Sequence, residues 1–534
     1  MAEHGIWAQD ERENSQTSDS TKAAASSNRP SSPLEQDAGN RRANSFPHNC
    51  DDDPGPTPRQ DRMVRRKLRG INLTMIAVNA TVGSGLYWST GQMLEIGGPL
   101  APPLAFLVVG VFVWAVMQCI TEMLCIWPIP GTLSVYVSEF VDEELGIAVG
   151  VAYWFTYSVS FAGLIHTASV EIHTMSQSVA FDVLVVYLLI PVVMIVINSF
   201  KVEIYGWFEV VASSVKISCF VVVVALVSVI MAVWSNKTLA FNPEAGSNWF
   251  TTFAYVISPQ SLRPSLICSS MCLSIATFAY VGVEVPAASA LEARLPERRP
   301  EDSEEPQISR TLKVSAVYIS IFATVAYTLA SLLASLNVNY TNCKLPRLSW
   351  TNNTICDPSI NASSVFSIIA DDSTHPQKVA FGKVITVIII FSALTCANTN
   401  LYVASRALFG LTTSLNPDAE SALYIRILAK FGQTSTNSTS RNGKSPFQNV
   451  PRRAMIFSAV AFMWVPFLRL NRPPKDDNAK DNMNVVVSLL LQLDFASDLT
   501  RLAQFIDVLT KMCIGGVIPV WACACWAFIR FYFW

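Results

Sequence analysis

From Ile71 onward the chain alternates long apolar stretches with short polar ones. A bilayer core takes roughly 20 helical residues to cross, and the pattern predicts about ten spans. They run over about 71–98, 99–127, 146–172, 183–198, 207–234, 266–290, 312–336, 379–411, 454–468 and 505–529. The expected class is an all-α polytopic membrane protein. Residues 1–62 lack apolar periodicity and are rich in Ser, Asn, Asp, Gln and Pro, the signature of a disordered tail before a membrane domain of 63–534.

Two of the spans are interrupted. The first carries Gly83, Ser84 and Gly85 near its middle, where lipid offers no replacement hydrogen bonds, so the opened backbone must face protein, water or a ligand. N–H groups freed at the start of its second half point, with the positive end of the helix dipole, at a position that suits an anion such as a carboxylate. Taken alone, the triplet is equally well read as small residues that let two helices pack closely. The sixth span holds a second interruption, with Gly282 and Pro286 around the intramembrane Glu284. Breaks five spans apart divide the domain into repeats of about 71–234 and 266–530, each opening with a broken helix. That is the pattern of a five-plus-five inverted-repeat secondary transporter with its substrate near the membrane midplane. Donors in one break and carbonyls in the other fit a free α-amino acid, which presents both a carboxylate and an ammonium.

Composition agrees with this class. In 534 residues, 51% are hydrophobic and only 15% charged, which is unlike a soluble protein. The net charge of −2 and the short basic clusters give no reason to expect a nucleic-acid partner. Most of the twelve cysteines lie within apolar runs, where they act as small packing residues. No signal-peptide pattern precedes the basic cluster Arg62, Arg65, Arg66, Lys67 and Arg69, which places the N-terminus in the cytoplasm. Basic residues after spans six and eight place those loops inside as well. The loop after span seven should be outside: it carries glycosylation sequons at Asn339, Asn352 and Asn361, with Cys343 and Cys356 as a candidate disulfide. Arg472, Lys475, Lys480 and Arg501 break the rule by falling on the predicted outer side. No metal cluster, nucleophile elbow or paired carboxylates point to an enzyme, and no cofactor is expected.

The segments VGSGLYWSTG, GGPLAPPLAF, FAYVGVEVPAASALEAR and LTCANTNLYVASRALFGL, together with the stretch from Val116 to Phe161, resemble the fungal amino-acid permeases. These form the yeast amino-acid transporter branch of the amino acid, polyamine and organocation superfamily. The resemblance runs from about Arg65 to Val450 and resumes near Leu509. It implies proton-coupled import of free amino acids at the plasma membrane, with the proton gradient as the driving force, on a fold that usually has twelve spans. Carried over by position, Gly83, Ser84 and Gly85 would hold the substrate carboxylate, with Thr81 also counted among the substrate-binding residues. Phe278, Ala279 and Val281 would offer carbonyls to the ammonium, with the Phe278 ring as a gate. Glu284 and Lys216 would serve proton coupling. For Lys216, a lysine that snorkels to the cytoplasmic interface is the competing reading.

Glu122 is read as structural, His166 and His173 as packing or interface residues, and Asn398, Asn400 and Ser405 as lining the path, with Arg406 at its inner end. Leu164 or Gly163 stands about where many relatives have a Glu, which argues against basic substrates. From 468 to 500 the resemblance lapses, and the chain reaches Trp534 directly after the tenth span; an unspliced intron or a truncated gene model would explain both, and a genuine variant is the alternative. Lysines of the tail, such as Lys22, would suit ubiquitin-ligase adaptors. The alternatives to a permease for amino acids are a sensor of the same fold that does not transport, and a permease for choline, GABA or polyamines.

Overall fold

The computed structural model describes residues 68–127, 129, 131–176, 181–234, 264–289, 292, 307–338, 340, 342–346, 364–370, 376–413, 415, 423–433, 450–467 and 499–533. Every regular element among them is helical. The tail of 1–62, the three sequons and nearly all of the atypical stretch 468–500 lie outside them.

The first apolar stretch forms two helices, α1 (Gly70–Thr81) and α2 (Ser84–Gly97). Then come α3 (Ala101–Ile126), the short α4 (Thr132–Phe140) and α5 (Glu143–Ser176). A π-helical stretch, Asp182–Leu189, leads into α6 (Ile190–Asn198). Pro191 stands at its first turn and has no N–H to give, and a proline ring crowds the carbonyl four residues back. The ladder widens there: Ile190 N–H donates to Val185 O, five residues back. After α7 (Val202–Trp234), the sixth stretch is again divided, into α8 (Pro264–Ala279) and α9 (Val285–Ser289). The remainder is α10 (Gln307–Asn337), α11 (Val365–Ala370), α12 (Pro376–Thr413), α13 (Leu423–Ala429), α14 (Arg452–Ala461), α15 (Trp464–Phe467) and α16 (Leu499–Phe533).

Among the described residues, six helices are long and apolar enough to cross a membrane, within α3, α5, α7, α10, α12 and α16. Their outer faces are apolar. On α10 the exposed side chains Tyr318, Ile321, Phe322, Val325 and Leu329 recur at three- and four-residue spacing, a stripe that lipid covers without cost. The ninth stretch differs from its expected continuous span of 454–468. A turn at Phe462 and Met463 separates α14 from α15.

Burial places the broken helices at the centre. Most of α1 is buried, Asn72, Leu73 and Ile76 through Thr81, whatever the polarity of the side chain. It packs against α7, α9, α10 and α12, while α2 packs against α8, α10, α11 and α12. One apolar cluster runs continuously from Leu68 and Ile76 through Tyr87, Phe106, Tyr280 and Tyr327 to Ala527. The interrupted elements are thus wrapped by the continuous ones, which is where opened backbone can exist inside a membrane.

Candidate functional site

Helix α1 ends because Val82 leaves helical geometry and Gly83 is fully extended, with φ −124° and ψ −157°. A helix that stops leaves its last four carbonyls without intrahelical partners, and in a membrane interior each must find another donor. Side chains from three surrounding helices supply them. Lys216 Nζ on α7 donates to Asn79 O at 2.9 Å and to Val82 O at 2.8 Å. Cys396 Sγ on α12 donates to Ala80 O at 3.0 Å, and Ser392 Oγ reaches Val82 O at 3.1 Å. Tyr327 Oη on α10 lies 2.5 Å from Thr81 O. The ammonium stands at the negative end of the α1 dipole, the favourable side for a cation.

The opposite side of the gap is different. Helix α2 begins at Ser84 behind Gly83, an N-cap residue with no side chain to cap the helix. Its first-turn N–H groups have no intrahelical acceptors. They form a bank of aligned donors at the positive end of a helix dipole, the geometry that holds an anion.

The second break lies against the first. After Ala279 the chain takes tight turns, with Val281 N–H donating to Phe278 O and Val283 N–H to Tyr280 O, before α9 starts at Val285. Gly282 sits at φ +114°, a conformation that L side chains rarely adopt. A Cβ on Gly282 would stand 2.8 Å from the carbonyl of Ala80, and one on Gly85 would stand 2.7 Å from the α-carbon of Ala279. The two openings therefore touch backbone to backbone. Tyr327 Oη also lies 3.1 Å from Ala279 O, so one hydroxyl bridges the carbonyl ends of α1 and α8. Its ring packs at a tilt against Tyr280 and Phe106, and Tyr280 Oη donates to Phe106 O at 2.7 Å, which pins the second break to α3.

The two ionisable residues singled out by sequence enter different breaks. Lys216 is only 1% exposed and points inward to α1, which excludes the snorkelling alternative. Glu284 is fully buried in the second break, where Tyr157 Oη donates to Oε1 at 2.8 Å and the Gly282 N–H to Oε2 at 3.3 Å. Of the expected substrate residues, Thr81 turns its hydroxyl back to Ala77 O at 2.7 Å and is buried. Gly83 packs under Cys396, whose Sγ would be 2.7 Å from an added Cβ. The backbone of Ser84 opens α2. Phe278 is partly buried between the central cluster and a small one of Val159, Ala162, Val465 and Cys513. Ala279 and Val281 are buried.

Sequence reasoning missed Glu209. It is fully buried on α7, two turns before Lys216, and accepts from Asn79 Nδ2 at 2.5 Å, Asn398 Nδ2 at 2.9 Å and Thr399 Oγ1 at 3.2 Å. A carboxylate within an apolar span was the available signal. Asn398, expected along the path, donates through Nδ2 to Glu209 and accepts through Oδ1 from Asn198 Nδ2 at 2.8 Å. Arg406 is buried too, with Nε 3.1 Å from Glu292 Oε1 and its guanidinium 3.9 Å above the Tyr402 ring. His173 pairs with Asp182 at 2.6 Å. Glu171 on α5 accepts from the Ser364 N–H at 3.1 Å, and Ser364 Oγ donates to Tyr87 O at 3.0 Å, which ties the segment leading into α11 to α2 and α5. Cys343 is disulfide-bonded; Cys356, Asn339, Asn352 and Asn361 lie outside the described residues. Among the described residues, no group of His, Cys, Asp and Glu is arranged to hold a metal ion.

Residues 72–416 match the sequence profile of the family described as amino acid permease. A probable amino-acid permease of Schizosaccharomyces pombe is 28% identical over 66% of this chain and 56% of its own length. The lysine-specific permease of Saccharomyces cerevisiae is 24% identical over 67% and 54%, and the dicarboxylic amino acid permease of the same yeast 26% over 66% and 54%. The chain spans just over half the length of these curated relatives.

Proposed function

The chain belongs to the amino acid permease family, and from that premise we propose that it imports free α-amino acids by proton symport and alternating access. The observation that carries this reading is the asymmetry of the first break. Its carbonyl end is closed by Lys216, Cys396, Ser392 and Tyr327, whereas its N–H end carries no side-chain cap. Donors at a positive helix end beside a second opened backbone fit a substrate with a carboxylate and an adjacent ammonium. The two relatives whose names give substrates of opposite side-chain charge share that α-amino-acid end, and the breaks address the shared part.

On this reading the first-turn N–H groups from Gly83 to Gly85 hold the carboxylate. Carbonyls of Phe278, Ala279 and Val281 take the ammonium, and the Phe278 ring closes the site. Thr81 supports the first break from the α1 side. Lys216 and Glu284 change protonation as the two broken helices move against their surroundings, and the proton gradient drives the cycle without a cofactor. The fold is a five-plus-five inverted repeat of ten spans in the plasma membrane, with a cytoplasmic N-terminus and a glycosylated outer loop after α10. Competition separates this from a choline, GABA or polyamine permease. L-Amino acids should displace a bound labelled amino acid, and the matching decarboxylated amines should not. Equal displacement by the amines removes the carboxylate from the site.

A further inference from the structure

Glu209 and Lys216 lie seven residues apart on α7, so about 10 Å separates their backbone positions along the axis. Asn79 spans that interval from the neighbouring helix. Its side-chain amide donates to Glu209 Oε2 at 2.5 Å, and its own backbone carbonyl accepts from Lys216 Nζ at 2.9 Å. One residue of the first break is therefore gripped by the acid at its side chain and by the base at its main chain. Glu209 is otherwise met by Asn398 Nδ2 and Thr399 Oγ1, so Asn79, Asn398 and Thr399 all present donors, which is how an acceptor-only carboxylate is satisfied. Asn398 is itself fixed by Asn198 Nδ2 at 2.8 Å, and Asn79 Nδ2 also lies 3.3 Å from Thr395 O. The acid is thus held by α1 and α12 together.

We propose that Glu209 is a positioning residue for Lys216: it fixes Asn79 so that the break's carbonyl meets the ammonium, and it supplies the counter-charge that favours a proton on Nζ. This rests on the transport reading above, in which Lys216 carries the coupled proton. The proton that comes and goes is the one on Lys216 Nζ, and Glu209 gains none. Other titratable groups face the network: Cys396 and Tyr402 on α12, Tyr327 on α10, Tyr87 on α2 and Tyr205 on α7 itself, with Arg406 beyond Tyr402. Among these groups Glu209 is the carboxylate linked to the break that Lys216 closes. An opposite charge nearby favours the charged form of a group, and its removal acts in reverse.

The test uses the full chain in proteoliposomes and uptake of an equimolar mixture of radiolabelled L-amino acids against outside pH. Glu209→Gln should move the midpoint of acid stimulation to lower pH by about one unit and keep the maximal rate at acid pH. Glu209→Asp, which retains the charge, should lie near wild type. Asn79→Leu, of similar volume but without the linking amide, keeps the carboxylate and should shift the midpoint in the same direction by a smaller amount; it decides the matter if Glu209→Gln does not fold. A merely structural Glu209 would lower the rate equally at every pH; an unmoved midpoint in Glu209→Gln, or in Asn79→Leu when that variant must decide, overturns the proposal. Lys216→Met is the control for the reading beneath it. If that variant keeps the wild-type profile, or wild type shows no uptake, the lysine does not carry the coupling and the inference falls with it. If Lys216→Met loses acid stimulation while the midpoints of Glu209→Gln and Asn79→Leu stay put, the inference alone fails.

Discussion

Lys216 Nζ lies 2.8 Å from the carbonyl oxygen of Val82, the residue at which the first span stops being a helix. A cation carried on one helix thus completes the main chain of another. Because it also takes Asn79 O, its loss leaves that buried carbonyl short of a donor and Val82 O with Ser392 alone, and an unmet buried polar group costs about 1–3 kcal/mol. Lys216→Met is expected to abolish acid-stimulated uptake and to lower the thermal unfolding midpoint of the purified protein. Lys216→Arg should not rescue uptake, since a planar fork does not replace a compact ammonium that meets two carbonyls of one turn. Rescue by Arg would show that charge alone suffices.

The glycines provide a sharper spatial test. Gly85→Ala would bring a methyl to 2.7 Å from the Ala279 backbone, and Gly282→Ala would add an unfavourable φ to a 2.8 Å contact with the Ala80 carbonyl. Overpacking of this kind costs about 1–3 kcal/mol, and here it would also push the two breaks apart. Both variants should lose at least about 90% of uptake while reaching the membrane, a loss worth about 1.4 kcal/mol or more. Gly163→Ala, with nothing within 4 Å of the new methyl, should behave as wild type. Full activity in Gly85→Ala would mean that the contact between the breaks is dispensable.

Tyr327→Phe removes the hydroxyl that bridges Thr81 O and Ala279 O but keeps the ring that packs with Tyr280 and Phe106. Expression should be preserved and stability lowered by about 1–3 kcal/mol. Amino-acid uptake should fall through the maximal rate more than through the apparent affinity, because the hydroxyl touches the frame of the site. Saturation kinetics on proteoliposomes check this split.

Arg406 and Glu292 are both buried, so removing either one leaves a charge unpaired, at about 3–5 kcal/mol. Arg406→Met and Glu292→Met should each reduce the folded yield severely. The double variant should be more stable than either single one. Thermal unfolding of the four proteins measures the coupling, and additive losses would contradict a working ion pair.

What was legible in sequence was local. Gly83, Ser84, Gly85, Gly282 and Pro286 mark the breaks because the same few residues that weaken a helix are the ones that open it. Lys216 and Glu284 were conspicuous as charges in apolar runs. The residues that close the first break were not legible as such, since Tyr327 is 246 residues from Thr81 and Cys396 is 316 from Ala80. Tyrosine and cysteine in an apolar span look like packing, and only the fold turns their donors toward α1. Glu209 stood at the head of the same stretch as Lys216 and was passed over because its partners, Asn79 and Asn398, come from other helices. The short helices α4 and α11 went unseen for a related reason: nine and six residues between spans carry too little periodicity to register.

The N–H end of the first break, set against a lysine-closed carbonyl end, is proposed to serve proton-coupled entry of amino acids. Uptake of a panel of radiolabelled amino acids in cells lacking their own permeases tests it most directly, at acidic and neutral outside pH, with and without an uncoupler. Uptake should be stimulated by acid, abolished by the uncoupler and absent in Gly85→Ala. No uptake by wild-type protein shown to reach the cell surface, or uptake indifferent to both pH and uncoupler, would contradict it.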